Sequence, residues 1–166
     1  AGLAGGLDGA HIVYVTHSIP DTMQDASAVT GPGYREQHED VRAVIDAALL
    51  EREGVRITSS LAYCSRSGDP RVPWLEPDVN DHIEVLASAG VKKIVIAPIG
   101  FVSDHMEVAF DLDIEAMETA TEHGITAVRA GTVGEFDALP DVAPPGSCRM
   151  RHEEVTGIPV LAGDED

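Results

Sequence analysis

His11-Ile12-Val13-Tyr14-Val15-Thr16 is a short run of β-branched and aromatic residues, closed a few positions later by the turn Ser18-Ile19-Pro20. A run of this kind reads as a buried strand. Three more of the same character follow, at Ile57 to Tyr63, Lys93 to Ile99 and Ile125 to Ala130. Between them lie three segments of helical period. The first, about Tyr34 to Glu53, places Val41, Val44, Ile45, Ala48 and Leu49 on one face. The second, Asp78 to Ala89, is closed by Gly90, and the third, Asp104 to His123, by Gly124, each glycine standing where a helix C-terminal cap belongs. Strands alternating with helices imply βαβ units. The expected fold is therefore an α/β domain with a four-stranded parallel sheet flanked by helices and right-handed crossovers.

Composition limits what such a domain can do. With 166 residues, 43% of them hydrophobic, the chain can bury one real core, and with aromatics at 4% that core should be mostly Val, Ile, Leu and Ala. A formal net charge of −18 argues against nucleic acid, because little here would neutralise phosphates; it suits solubility instead. Cys64 and Cys148 lie far apart without metal-ligand spacing, which fits a reducing, cytoplasmic setting. No apolar stretch approaches the roughly 20 residues needed to span a bilayer. Residues 1–10 open with Ala1-Gly2-Leu3-Ala4-Gly5-Gly6, which has neither the basic nor the apolar region of a signal peptide and no initiator Met. They read as a linker-like segment of something longer. From about Gly134 periodicity stops, and Pro140, Pro144, Pro145, Gly146 and the closing Gly163-Asp164-Glu165-Asp166 make residues 135–166 an expected poorly ordered acidic tail.

Two segments fall where a strand runs out into a loop: Tyr14-Val15-Thr16-His17-Ser18 and Ser103-Asp104-His105-Met106-Glu107. In open α/β sheets that edge is where ligands bind. A neutral imidazole facing a carboxylate there can bind a divalent metal, move protons, or do both. The plainer reading of His17 is a structural strand-end histidine. After Glu107 an amphipathic helix is expected. At about 100° per residue, Glu107, Asp111, Glu115, Glu118 and Glu122 fall within an arc of about 80°, with Ala109, Leu112, Ala116 and Ala120 on the other side. Glu118 and Glu122 read as a solvated face, and Glu107 has a plainer reading as the capping-box partner of Asp104. Yet like charges four residues apart repel by a few tenths of a kcal/mol. A line of Glu107, Asp111 and Glu115, about 6 Å apart along the axis, makes more sense if cations visit it. The second strand ends in Tyr63-Cys64-Ser65-Arg66-Ser67-Gly68, and Pro73-Trp74-Leu75 follows, so an arginine and the one tryptophan flank the same edge. They either hold an anionic aromatic ligand or pack the loop. Cys64 reads as a small buried residue, and His38, His82, His123 and His152 carry no assigned role.

These pieces together resemble the carboxyl-terminal half of ferrochelatases, especially the actinobacterial coproporphyrin type. The resemblance rests on Thr16-His17-Ser18-Ile19-Pro20, Tyr34 with Gln37, Ser65-Arg66-Ser67-Gly68, Pro73-Trp74-Leu75-Glu76-Pro77, and the long motif from Pro98-Ile99-Gly100-Phe101-Val102 through Ser103-Asp104-His105-Met106-Glu107. It implies a single chelatase-like, Rossmann-like domain over residues 11–134. It implies an enzyme that inserts Fe²⁺ into a porphyrin, coproporphyrin III by this type, in haem biosynthesis. His17 and Glu107 would be the inner metal pair, Asp111 and Glu115 the continuing carboxylate row, and Asp104 and His105 residues behind the metal ligands. Ser18, Ser65, Arg66 and Trp74 are candidates for the porphyrin cleft.

Metalation removes two pyrrole protons and strips water from Fe²⁺. An imidazole with an ordinary pKa near 6.5 can take a proton, and hard carboxylates hold the ion loosely. No cofactor is required, since iron is a substrate and keeps its oxidation state. The family's amino-terminal half is absent from this sequence, so the cleft would be completed by that half or by a homodimer mate. Cys64 stands where the family commonly has Gln. The four-cysteine [2Fe-2S] cluster of many actinobacterial members is not supported, because only Cys148 lies near the carboxyl end. Two other readings fit the length: a small homodimeric cobalt or nickel chelatase acting on a sirohydrochlorin-like tetrapyrrole, and a non-catalytic porphyrin- or metal-binding fragment.

Overall fold

The computed structural model describes residue 3 and residues 6–54 and 57–135, and in it the four apolar runs are four strands. β1 is His11–His17, β2 Thr58–Cys64, β3 Lys93–Ala97 and β4 Thr126–Arg129. They form one parallel sheet in the order β2-β1-β3-β4. The chain therefore leaves β1 for one neighbour, β2, and then returns past it to the other, β3. That reversal opens a crevice at the carboxyl ends of β1 and β3, the position where open α/β sheets take ligands.

Side-chain alternation along β1 divides the core in two. Val13 and Val15 look one way, with Ala62, Cys64, Ile94 and Ile96, into the larger cluster; Ile12 and Tyr14 look the other way with Leu61 and Tyr63. Both faces are covered, as a parallel sheet requires. Helix α3 (Val79–Ser88) places Val79, Ile83 and Leu86 against the larger cluster, with Asp78 accepting the Asn80 backbone N–H at its start. It ends at Gly90, whose φ of 87° only glycine adopts without cost.

The other face carries helix α2 (Tyr34–Glu53), and here the expected apolar face is only partly right. Ile45 and Leu49 pack on the sheet with Tyr34, but Val41 and Val44 are 45% and 69% exposed and Ala48 is also exposed. The reason is that α2 docks largely through polar anchors. The Tyr14 hydroxyl donates to Asp46 Oδ1 at 2.8 Å, and Arg42 donates to the Ser59 carbonyl and hydroxyl at 3.2 and 3.1 Å. Those bonds rotate Val41, Val44 and Ala48 outward. A further short helix, α1 (Asp21–Ser27), follows the turn at Pro20.

The third helical segment also differs from expectation. Val108–Ala116 is a π-helix, and only Met117–Glu122, α4, continues it as α-helix. Val108, Leu112, Ala116 and Ala120 are fully buried, while Ala109, expected on that face, is exposed. A strict four-residue repeat drifts by about 40° per step on an α-helix. The widened π turn, which bonds i to i+5, removes that drift, so four-apart residues stay stacked. The carboxylates at 107, 111 and 115 obey the same spacing. The tail, residues 136–166, and with it Cys148, lies outside the described residues, and so do residues 1, 2, 4 and 5 of the opening linker-like segment.

Candidate functional site

His17 is the last residue of β1, and a hub of hydrogen bonds holds it there. Thr16, fully buried, puts its Oγ1 2.6 Å from the Tyr34 hydroxyl and 3.0 Å from His38 Nε2. The Tyr34 hydroxyl also lies 2.8 Å from the His17 carbonyl, to which it can donate. The loop after β3 closes on the same spot: a Cβ on Gly100 would fall 1.9 Å from Thr16 Oγ1, so only glycine lets the two strand ends approach this closely. Neither Tyr34, Thr16 nor His38 was singled out in sequence for this job. The partners are 18 and 22 residues apart and meet only through the fold.

The His17 ring is oriented by its own neighbour. Its Nδ1 donates to the Ser18 carbonyl at 2.5 Å, which leaves Nε2 as the nitrogen free to accept a proton or bind a metal. Nε2 lies 3.9 Å from Glu107 Oε2. That is too long for a hydrogen bond and within reach of one cation held from both sides, since metal bonds to N and O run about 2.0–2.2 Å each. His105 Nδ1 lies 3.9 Å from the same Glu107 oxygen, with its ring edge on Phe101. Both side chains of the inner pair keep contact with solvent, at 35% for His17 and 54% for Glu107. Among the described residues no three His, Cys, Asp or Glu side chains converge to hold a metal ion. His17 and Glu107 thus present two donor atoms to one gap.

Asp104 is pinned rather than free for ligation. Arg129 from β4 donates to its two oxygens at 2.6 and 3.2 Å and to Asp113 Oδ1 at 2.5 Å, tying the turn before the π-helix to the sheet. Arg129 had no mark in the sequence beyond its place at the end of β4. Asp111 accepts a hydrogen bond from the Ser65 hydroxyl, and with Glu115 it lines a cleft of about 150 Å³ whose other walls include Arg66, Asp78 and Asn80. Cys64 forms the floor. Burial pushes its thiol up to about 12, so it is no nucleophile at neutral pH.

The remaining cleft candidates divide. Ser18 is buried and donates to the Leu75 carbonyl at 2.8 Å, and Arg66 donates to the Pro70 and Val72 carbonyls at 3.0 and 3.3 Å, closing its own loop. Trp74 is bridged to Pro20, and its buried indole N–H has no hydrogen-bond partner among the described residues.

The model of the ferrochelatase family matches residues 4–140. The chain belongs to the ferrochelatase family. It is 52% identical over 132 residues to a coproporphyrin III ferrochelatase of Streptomyces coelicolor, covering 76% of this chain and 35% of that one. Coproporphyrin III ferrochelatases of Propionibacterium freudenreichii and Frankia alni match at 51% and 50%, again over 75% of this chain and 35% and 32% of theirs. The chain thus spans about a third of the length of these ferrochelatases. No helix among the described residues is long and apolar enough to cross a membrane.

Proposed function

We propose that this chain is the metal-handling part of a ferrochelatase that inserts Fe²⁺ into coproporphyrin III during haem biosynthesis in the cytoplasm. The observation that carries the reading is the His17–Glu107 pair, 3.9 Å apart at the carboxyl edge of β1 and beside the loop that follows β3. The relatives' names supply the porphyrin. In this reading His17 Nε2 accepts a pyrrole proton, because its other nitrogen is committed to the Ser18 carbonyl. Glu107 holds Fe²⁺ opposite and releases it to the ring nitrogens. Asp111 and Glu115 feed it, being hard oxygen donors that bind a hydrated ion loosely. The porphyrin loses two protons, one to His17 and the other to the solvent that both side chains of the pair contact, and gains Fe²⁺, so charge balances with no change of oxidation state. No resident cofactor is needed. Ser18, Arg66 and Trp74 shape the porphyrin side of the cleft.

Because the chain spans about a third of its relatives, a full cleft needs further protein, either an amino-terminal portion or a second copy. The test is anaerobic Fe²⁺ insertion into coproporphyrin III by the chain alone and together with the amino-terminal portion of a relative, with assembly mass measured in parallel. Fe²⁺ insertion by either preparation supports the reading. Insertion of Co²⁺ into a sirohydrochlorin-like tetrapyrrole by a tight symmetric dimer, with no activity on coproporphyrin III, contradicts it. So does porphyrin binding without metalation in any assembly.

A further inference from the structure

His11 opens β1, Ser60 lies in β2 and His82 in α3, and their side chains meet at the end of the sheet away from the His17 crevice. His11 and His17 stand at the two ends of β1, about 20 Å apart at the rise of an extended strand. His11 Nε2 lies 2.8 Å from Ser60 Oγ, and His82 Nε2 lies 2.7 Å from the same oxygen. The two ring centroids are 6.3 Å apart and the planes tilted by 55°, so the imidazoles converge on the hydroxyl rather than stack. Ser60 has one proton, so it donates to one ring and must accept from the other. His11 Nδ1 has a partner of its own, the Thr58 hydroxyl at 2.9 Å, which can take a ring proton on that side. Burial lowers the pKa of both histidines, which leaves both rings uncharged at neutral pH.

Two neutral imidazoles and a hydroxyl, gathered from three elements, make a donor set for a divalent ion that prefers nitrogen. Neighbouring donors around a tetrahedral Zn²⁺ lie about 3.3 Å apart, given bonds of about 2.0–2.2 Å. Each ring therefore needs to withdraw from Ser60 by only about half an ångström, which small side-chain rotations supply. The ring that donates to Ser60 moves that proton from Nε2 to Nδ1, so binding releases no proton, and water fills the remaining position. Among the described residues no carboxylate or thiol joins the pair in a group of three. Mg²⁺ and Ca²⁺, which need shells of oxygen, are therefore poor fits.

We infer that His11, Ser60 and His82 form a divalent-metal site of the Zn²⁺ class, separate from the His17–Glu107 gap, which ties the start of β1 to β2 and α3. This site does not rest on the proposed metalation, because its histidines lie at the far end of the sheet from that gap.

The experiment titrates Zn²⁺ into the metal-free chain at neutral pH and follows the imidazole nitrogens of His11, His82 and His17 separately by proton–nitrogen correlation spectra. The Nε2 resonances of His11 and His82 should move along one curve with one half-saturation concentration, and the melting temperature should rise as the site fills. His82→Gln should raise the Zn²⁺ needed at His11 tenfold or more, and His11→Gln should do the same at His82, since losing even an outer partner of a bound metal costs about 10–100-fold. Ser60→Ala keeps both imidazoles and should weaken binding less than either change. Mg²⁺ should move neither ring. Separate curves for the two rings in the parent chain overturn the site, and that result stands even where a glutamine variant fails to fold. A parent-like His11 response in folded His82→Gln also overturns it. So does a response confined to His17, which leaves the proposed function standing.

Discussion

His17 Nε2 and Glu107 Oε2 face each other across 3.9 Å, while His17 Nδ1 is spent on the Ser18 carbonyl. The ring therefore offers one nitrogen, in one tautomer, to whatever enters the gap. If it takes a pyrrole proton, His17→Ala should lower the maximal Fe²⁺ insertion rate by about 10²–10⁴-fold, the usual span for a lost general base. Glu107→Gln should fall in the same range. Neither should unfold the domain, since both side chains reach solvent. Steady-state metalation with thermal melting of each variant checks both points, and a His17→Ala enzyme with near-parental kcat would remove His17 from the chemistry.

Tyr34 should matter for the fold and for the site at once. Its hydroxyl stands between the buried Thr16 Oγ1 and the His17 carbonyl. Tyr34→Phe leaves these groups short of a partner and should cost about 1–3 kcal/mol in urea denaturation. Val44→Lys, on the outer side of the same helix where Val44 is 69% exposed, should stay within about 0.5 kcal/mol of the parent. Equal losses from the two changes would contradict the docking of α2 through its polar anchors.

The contrast between Tyr34 and Val44 also shows what the sequence can and cannot reveal. Four apolar runs separated by periodic segments were enough for the parallel sheet, and the ends of β1 and β3 were enough to bring His17 and Glu107 to one crevice. Helix orientation was less legible. The apolar residues of α2 suggested a buried stripe, but Asp46 and Arg42 bind β1 and β2 and turn Val41 and Val44 outward. The π-helix was hidden in a pattern that an α-helix also tolerates. Its sign, in retrospect, is the unbroken four-residue spacing of Val108, Leu112, Ala116 and Ala120. The partners of Arg129, Ser65 and His38 could not be read, because each side chain bonds a residue distant in sequence.

The opposite edge of the sheet carries a pH dependence. His11 Nε2 and His82 Nε2 both contact Ser60 Oγ, at 2.8 and 2.7 Å. Burial lowers the pKa of His11, with the neighbouring His82 and Arg42 adding to it and Asp46 opposing; burial alone lowers that of His82. The unfolded chain, with histidines near 6.5, then binds more protons than the folded one. Their contribution is intact above that value and is lost as pH falls through it toward the depressed folded values. The urea midpoint should accordingly be lower at about pH 5.5 than at about pH 7.5. His82→Gln should flatten the difference, and an unchanged slope in that variant would assign the effect elsewhere.

The carboxylate row offers the last prediction, because a cation path and a solvated face respond differently to the same substitutions. Glu107 stands 3.9 Å from His17, whereas Asp111 and Glu115 line a separate cleft further along the π-helix. A residue at the reacting position acts in the chemical step; residues that collect the ion act before it. Glu107→Gln should therefore depress kcat, while Asp111→Asn and Glu115→Gln should mainly raise the Fe²⁺ concentration needed for half-maximal rate. Stability should not fall in any of the three, and relief of repulsion between four-apart carboxylates should raise it by a few tenths of a kcal/mol. Leu112→Ala, on the buried side of the same turn, supplies the contrast: it should cost about 2–5 kcal/mol through the cavity it leaves. The measurement is initial rate against Fe²⁺ at saturating porphyrin, in an assembly that metalates, with a melt of each variant. Small and equal effects from all three carboxylate changes would reduce the row to a charged face exposed to water.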